Sequence, residues 1–163
     1  MKSVGFALSL AALLMAAPVD AQSPKGRTPW KPVEGAFFAL SVPDIVASSR
    51  WYQDKLGLEV VLEIPVQNGT AVTILEGGGL TVELLQHATA RPISSACPGV
   101  TDPQMIHGFV KAGFVVKDFD GVLAELRSRG VEVAYGPFPA SDIQKANVIL
   151  RDNSGNLVQL FGR

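Results

Sequence analysis

The stretch FFALSVPDIVASSRWYQDKLGLEVV, residues 37–61, decides the fold. Residues 37–42 form a short run of aromatic, apolar and branched side chains, the composition of a strand. Pro43 interrupts that run, and the Asp44 carboxylate is placed to accept from the orphan N–H groups of a helix start. Ile45, Ser49, Tyr52 and Leu56 then recur at i, i+4, i+7 and i+11, which is one face of a helix. Gly57 supplies the left-handed conformation that closes a helix, and residues 58–65 resume as a strand.

The same phrase returns as KAGFVVKDFDGVLAELRSRGVEV, residues 111–133. Val42 and Val116 are 74 apart, as are Asp44 and Asp118, while Gly57 and Gly130 are 73 apart. A period this long exceeds any solenoid unit, so the chain holds two equivalent modules that share a core rather than an array.

Outward from these helices the rest of each module is strand. Asn68-Gly69 favours a tight hairpin between residues 58–65 and 71–76, and Gly77-Gly78-Gly79 turns the chain into residues 80–86. Module one, about residues 36–87, therefore reads βαβββ. A connector at about 88–108 carries Pro92, Pro98, Pro103 and Cys97 and has no periodicity; loops that long in compact domains tend to serve a function. Module two, about 109–162, repeats the order. It has a strand at 109–116, a helix with Phe119, Val122, Leu123 and Leu126 on one face, a strand at 131–135, and a final pair at 146–151 and 157–161 across Asp152-Asn153-Ser154-Gly155.

The start of the chain is not fold. Lys2, the apolar run at 5–17 and the small residues before Ala21 make a cleavable leader over 1–21, and the run of about 13 is shorter than the ~20 residues that cross a bilayer. Residues 22–34 are proline-rich and polar, a flexible tether, leaving 35–163 as one domain of ordinary size. The formal net charge is −1 with no basic block, so nucleic acid is not an expected partner, nor is an anionic membrane surface. Removal of the leader leaves no membrane span. One cysteine, Cys97, excludes an internal disulfide; with a leader, this suits an exported protein of a bacterial periplasm.

Taken together, Leu40-Ser41-Val42-Pro43-Asp44, Trp51-Tyr52 and Leu56-Gly57-Leu58, with Phe114-Val115-Val116, Asp118, Arg129-Gly130-Val131 and Asp152 through Leu157, resemble the vicinal oxygen chelate superfamily. That superfamily includes glyoxalase I, extradiol dioxygenases and bleomycin-resistance proteins. The resemblance covers about residues 36–161 and implies an α+β fold in which two βαβββ modules form a cup-shaped curved sheet. It also implies a small molecule in the cup, often beside a divalent metal, and a homodimer.

Metalloenzymes of the superfamily draw one ligand from the first and one from the last strand of each module. Carried over, these positions are Phe37, Glu83, Lys111 and Gln159. Phe37 has no lone pair, a lysine ammonium repels a cation, and Gln159 offers only a neutral carbonyl, so Glu83 stands as the single strong donor. No metal or other cofactor is therefore expected. Glu83 and Lys111 fall at neighbouring positions of the cup, where an ammonium would compensate a carboxylate. The same lysine would suit a substrate carboxylate or enolate oxygen.

His87 shares strand parity with Glu83 and Leu85, and His107 shares it with Lys111; either suits a general base, although a histidine at a loop edge is more often simply solvated. The leading expectation is a protein that sequesters or carries a small apolar or carbonyl-bearing molecule in a metal-free cup, with Phe37, Glu83, Lys111 and Gln159 against the ligand. The alternative is a glyoxalase-like lyase or isomerase using Lys111, Glu83 and His87, and a third is a non-catalytic partner subunit held by the tether.

Overall fold

Each half of the chain folds as the repeat predicts, strand–helix–strand–strand–strand. The computed structural model describes residues 36–163, within a compact unit spanning Glu34–Arg163. The leader and the tether lie outside the described residues. The first half is β1 (Ala36–Ser41), α1 (Ile45–Leu56), β2 (Glu59–Gln67), β3 (Thr70–Gly77) and β4 (Leu80–His87). The connector contains one short turn of helix, α2 (Ile93–Ala96), and a single 3-10 turn at Pro103–Met105. The second half is β5 (Ala112–Val116), α3 (Phe119–Ser128), β6 (Glu132–Phe138), β7 (Asn147–Arg151) and β8 (Leu157–Gly162).

The two sheets share one plan. Strand order is β1-β4-β3-β2 in the first and β5-β8-β7-β6 in the second. In both, the first strand pairs parallel with the last, and the other pairings are antiparallel. The local signals act as expected. Asp44 accepts from the Ala47 N–H at 3.0 Å, and Gly57 closes α1 at φ 71°. Asn68 and Gly69, at φ 51° and 82°, make the tight turn between β2 and β3.

Strand limits differ in three places, two of them for one physical reason. Strand β2 runs through Pro65 to Gln67, because β2 is an edge strand where a missing N–H breaks no ladder bond. Edge strand β6 contains Pro137 in the same way, and the register shifts of both sheets bracket these prolines, at Ile64/Gln67 and Tyr135/Phe138. Strand β5 starts at Ala112 rather than 109, which leaves Phe109, Val110 and Lys111 as an extended approach to the sheet.

Helix α1 is the seam of the molecule. Its buried face contributes Tyr52 to a core with Leu40, Val42, Leu58, Leu75, Val82 and Leu84. The second core is Leu123, Leu126, Val131, Val148, Leu150 and Leu160. Trp51 and Leu56 pack against both cores, so one helix joins the two hydrophobic clusters. Polar contacts reinforce this join. The Tyr52 hydroxyl, on a residue with no exposed surface, donates to Asp152 Oδ2 at 3.1 Å, and Ser48 Oγ meets Ser154 Oγ at 2.9 Å. At the C-terminal end of α1, Lys55 Nζ donates to the Arg129 carbonyl while Arg129 Nη1 donates to the Lys55 carbonyl. Lys55 and Arg129 are 74 apart, close to the spacing of the repeat, and their bonds are reciprocal.

Burial and then the neighbouring Asp152 carboxylate push the Tyr52 hydroxyl pKa up from its ordinary 10.0. A raised folded-state pKa means that this stabilisation is complete below pH 10 and is lost above it, where the unfolded chain ionises first. Tyr52→Phe is expected to destabilise the fold by about 1–3 kcal/mol in urea unfolding, because Asp152 loses a buried donor. The same variant is expected to flatten the fall in stability on the alkaline side of pH 10.

Candidate functional site

Each sheet buries one face under its helix and leaves the other open. The register places Phe37, Ala39 and Ser41 of β1 beside Thr81, Glu83 and Leu85 of β4 on the open face of the first sheet. Val72 and Ile74 of β3 and Leu62 and Ile64 of β2 continue that face. On the second sheet the equivalent face carries Gly113 and Val115 of β5, Gln159 and Phe161 of β8, Ile149 of β7 and Tyr135 of β6. These surfaces are apolar but uncovered among the described residues; Phe37 keeps 66% of its surface exposed.

The four carried-over positions fall in matching places on the two sheets. Phe37 pairs with Thr81, two pairs along from Ala39 and Glu83 and on the same face. Lys111 lies two residues before Gly113, which pairs with Gln159, so Lys111 stands to Gln159 as Phe37 stands to Glu83. Their chemistry differs. Glu83 is half-buried between Ala39 and Ile74. Gln159 donates through Nε2 to Asn147 Oδ1 at 3.0 Å, and Asn147 in turn donates to the Lys145 carbonyl. Lys111 is exposed, outside the regular part of β5. The anticipated pairing of Glu83 with Lys111 is not formed: the ion pairs among the described residues are Arg129–Glu125 and Arg151–Glu132.

A cleft of about 710 Å³ lies where the ends of β1 and β4 meet the approach to β5 and the start of β8. Its walls include Leu40, Val42, Ile93, Phe109 and Leu157, and the connector forms one side. Lys111 and His87 both line it, whereas Phe37, Glu83 and Gln159 do not. His107 stays on the exposed connector away from it.

His87 is not arranged as a base. The Thr89 backbone N–H donates to His87 Nδ1 at 3.2 Å, and the Thr89 hydroxyl lies 3.0 Å from the same nitrogen. The neutral ring therefore carries its proton on Nε2 and presents a donor.

Two contributors to this region escaped sequence reasoning. Arg91 lines the cleft from within the connector, where no periodicity marks a side chain for notice. Gln86 lines it too and accepts from the Ile45 N–H at 2.8 Å, a second cap on α1. A polar residue ending an apolar strand was the one available signal for Gln86.

The profile of the glyoxalase/bleomycin resistance protein/dioxygenase superfamily matches residues 34–160. The chain belongs to this superfamily. Solved structures share its fold. A glyoxylase/bleomycin resistance protein/dioxygenase domain from Frankia sp. EAN1pec is 21% identical, with 82% of this chain and 93% of that one covered and a TM-score of 0.62. A glyoxalase family protein from Enterococcus faecalis is 22% identical, covering 81% and 98%, with a TM-score of 0.59. The antibiotic-binding protein TnmS3 from Streptomyces sp. CB03234 is 19% identical, covering 83% and 98%, with a TM-score of 0.57. No curated protein matches the chain.

Many members of the superfamily hold a divalent ion, and the residues here do not fit one. Among the described residues no group of three His, Cys, Asp or Glu side chains is placed to hold a metal. A catalytic site for such an ion ordinarily has three protein donors. If the donor set alone is what is missing, Phe37→His combined with Lys111→His should create a site. Elemental analysis after incubation with Ni²⁺ and desalting is expected to find about one ion per chain in the double variant and under a tenth of that in the natural protein.

Proposed function

We propose that this chain is an exported small-molecule-binding protein that sequesters or carries an apolar or carbonyl-bearing ligand on the open faces of its two sheets, without a divalent metal. The observation that carries this reading is the set Phe37, Glu83, Lys111 and Gln159, which replaces a metal-binding constellation with an aromatic ring, a single carboxylate, an ammonium and an amide. The apolar open faces suit such a ligand, since binding sites are mostly apolar with few polar groups. A structural neighbour of the same fold that binds an antibiotic supports the reading. Export rests on the leader-like residues 1–21, and a periplasmic setting on the lone cysteine. A homodimer would cover apolar side chains that one chain leaves open, Phe37 and Val115 among them.

A lyase or isomerase with Lys111 as electrophile is the second reading, favoured by Lys111 and His87 sharing one cleft. The His87 tautomer weighs against it, because the nitrogen that would accept a proton is already engaged.

The neutral dye Nile red, titrated against the purified chain, is expected to bind with rising fluorescence, and Phe37→Asp to weaken it at least ten-fold. Nile red that fails to bind the natural protein, or that binds Phe37→Asp as tightly, would leave the open faces without a role and refute the reading. Under the same reading Lys111→Met changes ligand affinity only, whereas under the enzymatic one it abolishes turnover. Sedimentation is expected to give twice the chain mass; a monomer at every concentration would remove the homodimer.

A further inference from the structure

We propose that the cleft at the junction of the two modules is a binding site in its own right, adjoining the open sheet faces at Ser41 and Lys111, and that it takes an organic carboxylate: an anionic head at Arg91 and Lys111 and an apolar body along Ile93, Phe109 and Val110. Its size, about 710 Å³, falls within the ~300–1,000 Å³ of small-molecule pockets.

The charge of the lining is one-sided. The chain as a whole carries 14 Lys and Arg against 15 Asp and Glu, yet the cleft is lined by Arg91 and Lys111 and, among the described residues, by no Asp or Glu. Neither cation takes part in the ion pairs found among the described residues.

The hydrogen-bonding capacity left over in the cleft is also mainly of one kind. Gln86 Oε1 is engaged by the Ile45 N–H, which leaves its NH₂ as the free group. His87 Nδ1 is engaged by Thr89, which leaves Nε2–H. Asn156 Nδ2 donates one of its two hydrogens to Asp152, which leaves one N–H and the carbonyl, and the Ser154 hydroxyl is shared with Ser48. Lys111 and Arg91 contribute donors only. A ligand that satisfies this lining supplies acceptors and a negative charge. The planar fork of an arginine matches the two oxygens of a carboxylate. The apolar walls favour a head attached to a hydrocarbon body over a bare ion.

Isothermal titration of the full chain with octanoate, 1-octanol and acetate tests this. Octanoate is expected to bind, with 1-octanol at least ten-fold weaker for lack of the head and acetate at least ten-fold weaker for lack of the body. Arg91→Gln and Lys111→Gln, both at exposed positions, are each expected to weaken octanoate roughly ten-fold while the thermal midpoint holds. Added NaCl is expected to weaken octanoate and leave 1-octanol unchanged. Nile red binding at the sheet faces is expected to survive Arg91→Gln.

Equal affinity for octanoate and 1-octanol would overturn the proposal, as would octanoate binding that ignores both substitutions. Octanoate that fails to bind while Nile red still binds would sink this site and leave the sheet-face reading standing. Octanoate binding abolished by Phe37→Asp and untouched by Arg91→Gln would place the carboxylate on the sheet face and refute a separate cleft.

Discussion

Four hydrogen bonds converge on the carboxylate of Asp152, and the relation between the two halves depends on them. Oδ1 accepts the backbone N–H groups of Ser154 and Asn156 at 2.9 and 2.8 Å. Oδ2 accepts the Asn156 side-chain amide at 2.9 Å and the Tyr52 hydroxyl at 3.1 Å. Three of these bonds shape the turn between β7 and β8, and the fourth fastens α1 to that turn. A buried carboxylate is costly unless its lone pairs are filled, so this one specifies a single arrangement of helix and turn. The consequences reach the cleft, because Ser154, Gly155 and Asn156 of the same turn form part of its wall.

Most of the fold was legible in the sequence, because each module announces itself with short-range chemistry. Asp44 and Asp118 cap helices by accepting from N–H groups three residues on. Asn68-Gly69 selects its turn, and the period of apolar residues separates helix from strand. The strand ends were less legible. A proline inside a strand stops the ladder in a central position and is harmless at an edge, and only the tertiary arrangement decides which applies to Pro65 and Pro137.

The candidate site was legible only as a set of positions, and not in how the chain arranges them. Phe37, Glu83, Lys111 and Gln159 came from the resemblance to the superfamily; the register puts Phe37, Glu83 and Gln159 on open sheet faces, with Glu83 and Gln159 in matching places in the two modules. The resemblance could not foresee that Lys111 would stand ahead of its strand and line a cleft with Arg91 and His87. The connector brings Arg91 there, and an aperiodic segment carries no pattern from which to infer a direction. The same limit applies to Tyr52. Its helical phase predicted burial correctly, but its partner lies 100 residues away in a turn whose Asp-Asn-Ser-Gly composition signals only a change of direction.

The clasp between Lys55 and Arg129 treats the halves as equals, whereas the Tyr52–Asp152 bond does not. At the spacing of the repeat, the counterpart of Tyr52 is Leu126, and at the spacing of the final strands the counterpart of Asp152 is the exposed Glu76. A protein made by duplicating the first half would keep a hydroxyl on every helix and have no buried acid to receive it. One made by duplicating the second would bury the acid and lack the hydroxyl. The two halves are thus alike in plan but not interchangeable: each holds one part of a lock, and neither can stand in for the other.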